Sequence, residues 1–181
     1  MSRILLVFIF LFLFSKTILP QINSMSAGGY IGLGSVKGNS PSQTSFNTTI
    51  FLDVQPEFMN RSSLRLSLIY GRKIEALLPQ SVYDRYFPFV KGISLKVTTK
   101  QRFQNLFYTE ETIGPLLLND RTFSDVNSLD LGLSFSFLAG LDFRTDARGM
   151  ALGLGTEYGL TFTNTLASYF ALYLQAQYYF L

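Results

Sequence analysis

The 181-residue chain contains no histidine and no cysteine. Without thiols it has no disulfide framework, no thiolate nucleophile and no thiolate metal site. Without imidazole it lacks the side chain that most often moves protons near neutral pH. Charge is scarce too: Asp, Glu, Lys and Arg make up 15% of the chain, against about a quarter in soluble domains. The basic residues are scattered singly among acidic ones, so no patch of the kind that holds nucleic acid is visible. No apolar run reaches the ~20 residues of a spanning helix. Aromatic residues, in contrast, are plentiful, with 18 Phe and 10 Tyr, side chains suited to strands and to membrane interfaces.

The amino terminus is organised differently from the rest. Arg3 precedes an apolar run from Ile4 to Phe14, followed by Ser15, Lys16 and a polar stretch containing Pro20 and Gln21. At 1.5 Å per residue this run forms about 16 Å of helix, well short of the ~30 Å hydrocarbon core. It reads as a secretory signal peptide over residues 1–25, cleaved between Gln21 and Ser26, with one domain over residues 26–181. An uncleaved anchor, extended through Leu19 and so including Lys16, is the alternative. Removing Arg3 and Lys16 leaves 13 basic against 12 acidic side chains, so the remaining domain is almost neutral.

Beyond Ser26 the dominant period is two. Leu129, Leu131, Leu133, Phe135, Phe137, Ala139, Leu141 and Phe143 alternate with a smaller, more polar set from Asp130 to Arg144. Met150 to Phe162 repeats the pattern against Gly149, Ala151, Gly153, Gly155, Glu157, Gly159 and Thr161. Thr145 to Arg148 supplies a tight polar turn between them. Phe46 to Val54 and Leu64 to Tyr70 form another such pair, whose hairpin through Pro56 to Arg61 sets Asp53 against Arg65 on the polar face. Strands are also predicted over Gly28 to Val36, Phe87 to Thr98, Arg102 to Thr109 and Tyr169 to Leu181. Eight strands result, and alternation of this kind makes each one oily on one side and small or polar on the other.

The spacing of these strands places the longer connections at 37–44, 72–86, 110–126 and 163–168, and the shorter ones near Pro56, Thr99 and Thr145. Long connections at one end and tight turns at the other are expected of a membrane barrel. The bulk of each face decides which one meets lipid. Eight strands enclose a space just wide enough to be filled by side chains, and the Leu- and Phe-rich face is too bulky for it. The oily face should therefore point outward, and the lumen should hold Gly, Ser, Thr and paired charges. Asp53 with Arg65, and Lys96, Asp130 and Glu157, are the candidate lumen charges. Asp130, Asp142 and Glu157 are read as neutralising Arg65, Lys96, Arg144 or Arg102, because ionisable groups away from bulk water find partners.

The carboxyl end carries the most specific signal. Phe170, Leu172, Leu174, Ala176, Tyr178 and Phe180 alternate with Tyr169, Tyr173, Gln175, Gln177 and Tyr179 up to the terminus. This resembles the last strand of outer-membrane proteins, although Leu181 stands one residue beyond the terminal aromatic. With the signal segment and the alternation, residues 27–181 resemble the small outer-membrane barrels of the OmpA and OmpX type. The resemblance implies a closed, all-β, antiparallel up-and-down barrel of about eight strands in the outer membrane of Gram-negative bacteria. It also implies that Phe170, Leu172, Leu174, Tyr178 and Phe180 form the signal read by the barrel-assembly machinery.

No cofactor and no catalytic residue follow from the resemblance. Barrels of this kind that modify lipid A or cleave proteins resemble one another in using histidine, which this chain lacks. The glycines Gly28, Gly29, Gly32 and Gly34 fall in a strand, without the strand-turn-helix context of a phosphate loop. The apolar residues Leu77, Leu78 and Tyr83, together with Leu116 and Leu117 beside Pro115, are expected in outer loops as a candidate contact surface for a protein partner. The leading expectation is a structural or interaction barrel with a largely filled lumen, surrounded by outer-membrane lipid. A narrow channel or small-ligand transporter along the Gly and Ser rows is the first alternative, and a signal-anchored periplasmic ligand binder the second.

Overall fold

The computed structural model describes residues 22–77, 86–103, 106–125, 127–145 and 147–180. Eight antiparallel strands follow one another around a closed barrel: β1 (Ile22–Lys37), β2 (Gln43–Pro56), β3 (Ser62–Lys73), β4 (Phe89–Phe103), β5 (Phe107–Arg121), β6 (Ser128–Asp142), β7 (Gly149–Thr161) and β8 (Ser168–Tyr179). A short 3-10 turn at Ile74–Leu77 follows β3. Closure is made by β1 against β8, in a ladder running from Ser26 opposite Tyr179 to Lys37 opposite Ser168. Closing the sheet satisfies every strand edge, which an open sheet in hydrocarbon could not do.

The period-two pattern translates directly into two surfaces. Alternate residues of each strand are buried in the lumen or exposed on the wall, and the exposed set is oily. Ile50 is 61% exposed, Leu131 61% and Leu174 63%. An apolar belt this extensive has no place on a water-facing surface, whereas lipid covers it without cost. Aromatic side chains flank the belt at both ends. Phe103, Phe107, Phe143 and Phe180 lie at the end that holds the carboxyl terminus, and Phe89, Phe123 and Phe162 lie at the opposite end.

Strand β1 begins at Ile22, so Ile22, Ser24 and Met25 pair with β2 in the barrel wall. The rest of the expected signal segment lies outside the described residues. The strongest departure from the sequence reading concerns β4 and β5. The expected turn near Thr99 does not occur, and β4 continues through Lys100, Gln101 and Arg102 to Phe103. Strand β5 then runs from Phe107 to Arg121, through residues read as an outer loop. Alternation in that stretch is masked by Glu110 beside Glu111, by the run Leu116-Leu117-Leu118, and by Pro115. Proline has no N–H to donate. The β4–β5 pairing lapses between Ser94 opposite Leu116 and Val97 opposite Ile113, yet the register is the same on both sides of the gap.

That correction shortens the outer connections. They occupy 38–42, 74–88, 122–127 and 162–167, against 57–61, 104–106 and 143–148 at the other end. Only 74–88 is long, so the expected sorting into long loops and short turns reduces to a single loop.

Candidate functional site

The lumen is where the charged residues gather. Arg65 on β3 donates from Nε to Oδ1 of Asp53 at 2.8 Å and from Nη2 to Oδ2 at 2.7 Å, a two-pronged pair across the β2–β3 hairpin. Its Nη1 reaches Glu110 on β5 at 2.8 Å, and all three side chains are buried. The planar guanidinium suits this bridging role, since its fixed fork of donors serves two carboxylates together. Gln177 on β8 donates to Asp53 at 2.8 Å and to Ser26 Oγ at 2.7 Å, while Gln175 donates to Glu110 at 3.3 Å. The ring of Phe51 lies 4.0 Å from the Arg65 guanidinium.

A second knot crosses from β4 to β7. Lys96 Nζ meets Glu157 Oε2 at 2.6 Å with both side chains almost wholly buried. Tyr169 donates its hydroxyl to the other oxygen of Glu157. Toward the carboxyl-terminal end, Asp142 accepts from Arg144 at 2.7 Å and from Arg102 at 2.6 Å. Lys100 there donates to the Tyr179 hydroxyl at 2.7 Å and lies over the Tyr108 ring at 3.6 Å.

Large side chains fill what the charges leave. Tyr30 and Tyr173 stack with ring centroids 4.0 Å apart. One apolar cluster gathers Tyr30, Tyr108, Leu138 and Tyr173, and a second, nearer the outer connections, gathers Val36, Ile69, Val90, Leu116, Leu118 and Tyr169. The glycines of β7 make room for these bodies. A Cβ at Gly155 would lie 2.9 Å from Tyr173 and one at Gly153 would lie 2.6 Å from Leu138, while one at Gly159 would overlap Tyr169. A polar pocket of about 200 Å³ remains at the carboxyl-terminal mouth, lined by Asn60, Arg61, Lys100, Arg102 and Arg144 among others.

Lys96 and Glu157 thus lie in the lumen as one pair, and Asp53 with Arg65 as another. Asp130 is buried but has no cation within 4.0 Å among the described residues. It accepts instead from the hydroxyls of Ser128 at 3.1 Å, Thr163 at 3.3 Å and Thr165 at 2.5 Å, because at the barrel rim the β7–β8 turn folds over it. Glu110, read as the start of a loop, is the second partner of Arg65. No signal in the sequence marked it, since its strand was itself concealed.

The expected contact surface is revised. Leu116 and Leu117 are strand residues, not loop residues. Leu116 is buried in the lumen and Leu117 faces the wall, because β5 extends through Pro115. Leu77 is 56% exposed at the start of the long connection, and Leu78 and Tyr83 lie outside the described residues. On the last strand, Phe170, Leu172, Leu174, Tyr178 and Phe180 all face outward.

No family model and no curated protein matches the chain. Solved structures do. Neisserial surface protein A superposes with a TM-score of 0.64 at 9% identity, over 86% of this chain and 97% of that one. The Ail protein of Yersinia pestis, the attachment invasion locus protein, superposes at 0.54 with 12% identity over 87% and 99%. The fold is that of a small outer-membrane barrel.

Within this barrel a third feature lies on the outer wall. On β3, β4 and β5, at the end away from the carboxyl terminus, Arg72, Phe89 and Arg121 pair in one cross-strand row, and Tyr70, Lys91 and Asn119 in the next. Alternation turns all six outward. Arg72 and Arg121 lie 5.9 Å from the rings of Phe87 and Phe89, respectively. Below this row is an apolar depression of about 440 Å³ lined by Leu68, Ile93, Leu117 and Leu129, with Lys91 and Asn119 at its edge.

Proposed function

We propose that the chain is an integral protein of the bacterial outer membrane with a closed lumen, acting structurally or through its surface contacts rather than as a pore or an enzyme. One observation carries this reading: the lumen is crossed by buried ion pairs anchored on opposite walls. Arg65 ties β2 and β3 to β5 through Asp53 and Glu110, and Lys96 ties β4 to β7 through Glu157. Opening a path would separate charges held away from bulk water, which is far more costly than shifting loosely packed apolar groups. The stacked Tyr30 and Tyr173, and the Tyr169, Tyr173 and Leu138 side chains seated on the glycines of β7, occupy the space that a channel along that strand would need. The channel alternative is thereby disfavoured, and the oily wall disfavours the water-soluble binder.

Catalysis has little support. The carboxylates of the lumen are engaged with Arg, Lys, hydroxyl or, for Asp120, backbone N–H partners, and the chain has no histidine to work with them. Ail was solved in complex with the heparin analogue sucrose octasulfate, and a role through surface contacts is in keeping with that. For this barrel the candidate contact for a protein partner is the 74–88 connection, which includes exposed Leu77.

The test is electrical. Purified, refolded barrel added to planar lipid bilayers should give no stable conductance steps at neutral pH. Long-lived, uniform open levels would overturn the closed-lumen reading.

A further inference from the structure

The outward charges of the barrel are few and unevenly placed. Alternation assigns Lys37, Arg72, Lys91, Glu111 and Arg121 to the wall. Only Glu111 is acidic, and it lies in the half of β5 nearer the carboxyl-terminal mouth, opposite Thr99. The cations stand at the other rim, and three of them occupy neighbouring strands. Facing charge toward a lipid wall is unfavourable unless an opposite charge meets it.

None of Arg72, Lys91 and Arg121 lies within 4.0 Å of a carboxylate among the described residues, whereas Glu75 nearby is already taken by Lys73 at 2.9 Å. Among the described residues, the Nε atoms of Arg72 and Arg121 are buried with no hydrogen-bond partner. With strands about 4.8 Å apart, the two arginines of the row stand about 10 Å from each other across Phe89. Lys91 sits between them, one pleat lower, at the edge of the apolar depression.

We propose that this rim binds a lipid carrying more than one phosphate, a phosphorylated glycolipid of the outer leaflet. Arg72 and Arg121 clasp separate phosphates by paired N–H donors, Lys91 adds a point charge between them, and an acyl chain lies in the depression along Leu68, Ile93 and Leu117. A single-phosphate lipid engages one arginine and leaves the other bare, so the spacing selects a headgroup with two separated anions. Phe89 and Tyr70 fill the space between the cations at the depth where aromatic side chains meet headgroups. The proposal rests on the membrane reading above, with the end that bears the 74–88 connection facing outward.

Wild-type barrel and the variant R72Q/K91Q/R121Q are reconstituted in phosphatidylcholine vesicles doped with bis-phosphorylated lipid A, with monophosphorylated lipid A, or with phosphatidylglycerol. They are then re-extracted in neutral detergent, and retained lipid is counted by mass spectrometry. Wild type should hold bis-phosphorylated lipid A in preference to the other two. The variant should lose about a hundredfold in affinity, at roughly fivefold per cation, and R148Q at the opposite mouth should lose nothing.

Equal retention by the triple variant, equal retention of phosphatidylglycerol, or a lipid-free dimer closed over this face would overturn the proposal. Heat-dependent gel mobility of each sample reports separately on the barrel reading. Should the triple variant fail to fold, K91Q alone, altering an exposed side chain, must still weaken retention about fivefold.

Discussion

Lys96 and Glu157 show how a membrane barrel tolerates charge at its centre. Their side chains are 1% and 2% exposed and 2.6 Å apart, so each cancels the other's burial cost, and Tyr169 occupies the remaining carboxylate oxygen. Removing one partner leaves the other unpaired, which in buried settings costs about 3–5 kcal/mol. Lys96→Met should therefore lower the urea midpoint in lipid vesicles sharply. The double variant Lys96→Met/Glu157→Gln, which removes both charges and keeps an acceptor for Tyr169, should recover most of the loss. Equal destabilisation of the two variants would show that packing, not charge pairing, sets the cost.

The same residue-level logic explains β7. Its inward glycines are not flexible points but the space into which Tyr169, Tyr173 and Leu138 fit. Gly155→Phe would meet the Phe137 carbonyl, Leu138 and Tyr173 together, so that substitution reports on folding before it reports on transport.

At the scale of elements, strand length and turn chemistry carry the argument. The β7–β8 connection closes through Thr161, whose N–H and hydroxyl both reach the Ala167 carbonyl, at 2.9 and 3.0 Å. Leu166 sits in this turn with φ of 48° and its side chain 66% exposed. A leucine in the left-handed region costs about 1–2 kcal/mol relative to glycine. Leu166→Gly should raise barrel stability by about 1 kcal/mol in equilibrium unfolding. A loss would mean that the Leu166 side chain makes a contact worth more than its strain.

Strand β5 makes the complementary point. Its Pro115 interrupts pairing with β4 but not with β6, where Pro115 stands opposite Leu133. A barrel strand therefore accommodates proline where one ladder alone has to yield. Sequence patterning concealed this strand because three successive leucines erase the contrast between faces, and Glu110 beside Glu111 does the same for its polar half.

For the whole molecule, closure is the decisive property. Eight ladders, with β1 joined to β8, leave no edge, and the wall so formed is oily around its circumference. Folded barrel should thus require detergent or lipid to remain monodisperse, and should migrate differently on a denaturing gel before and after boiling. Recovery of residues 26–181 as a water-soluble monomer with no heat shift would overturn the membrane reading. Replacing Phe180 with alanine should slow insertion in a barrel-assembly assay while leaving spontaneous refolding in detergent unchanged, if the last strand is the segment the assembly machinery reads.

Alternation every second residue was enough to establish the β class, seven of the eight strands and the placement of Asp53 opposite Arg65 on one hairpin, and the bulk of the Leu- and Phe-rich face then turned it outward. Those features depend on neighbours within one or two strands, where the pleat dictates which side a residue takes. Only tertiary structure could bring Glu110 to Arg65, Lys96 to Glu157, or Arg72, Lys91 and Arg121 into one rim. Partners across a lumen or along a wall are chosen by barrel closure and register between distant strands, and no local pattern encodes those distances.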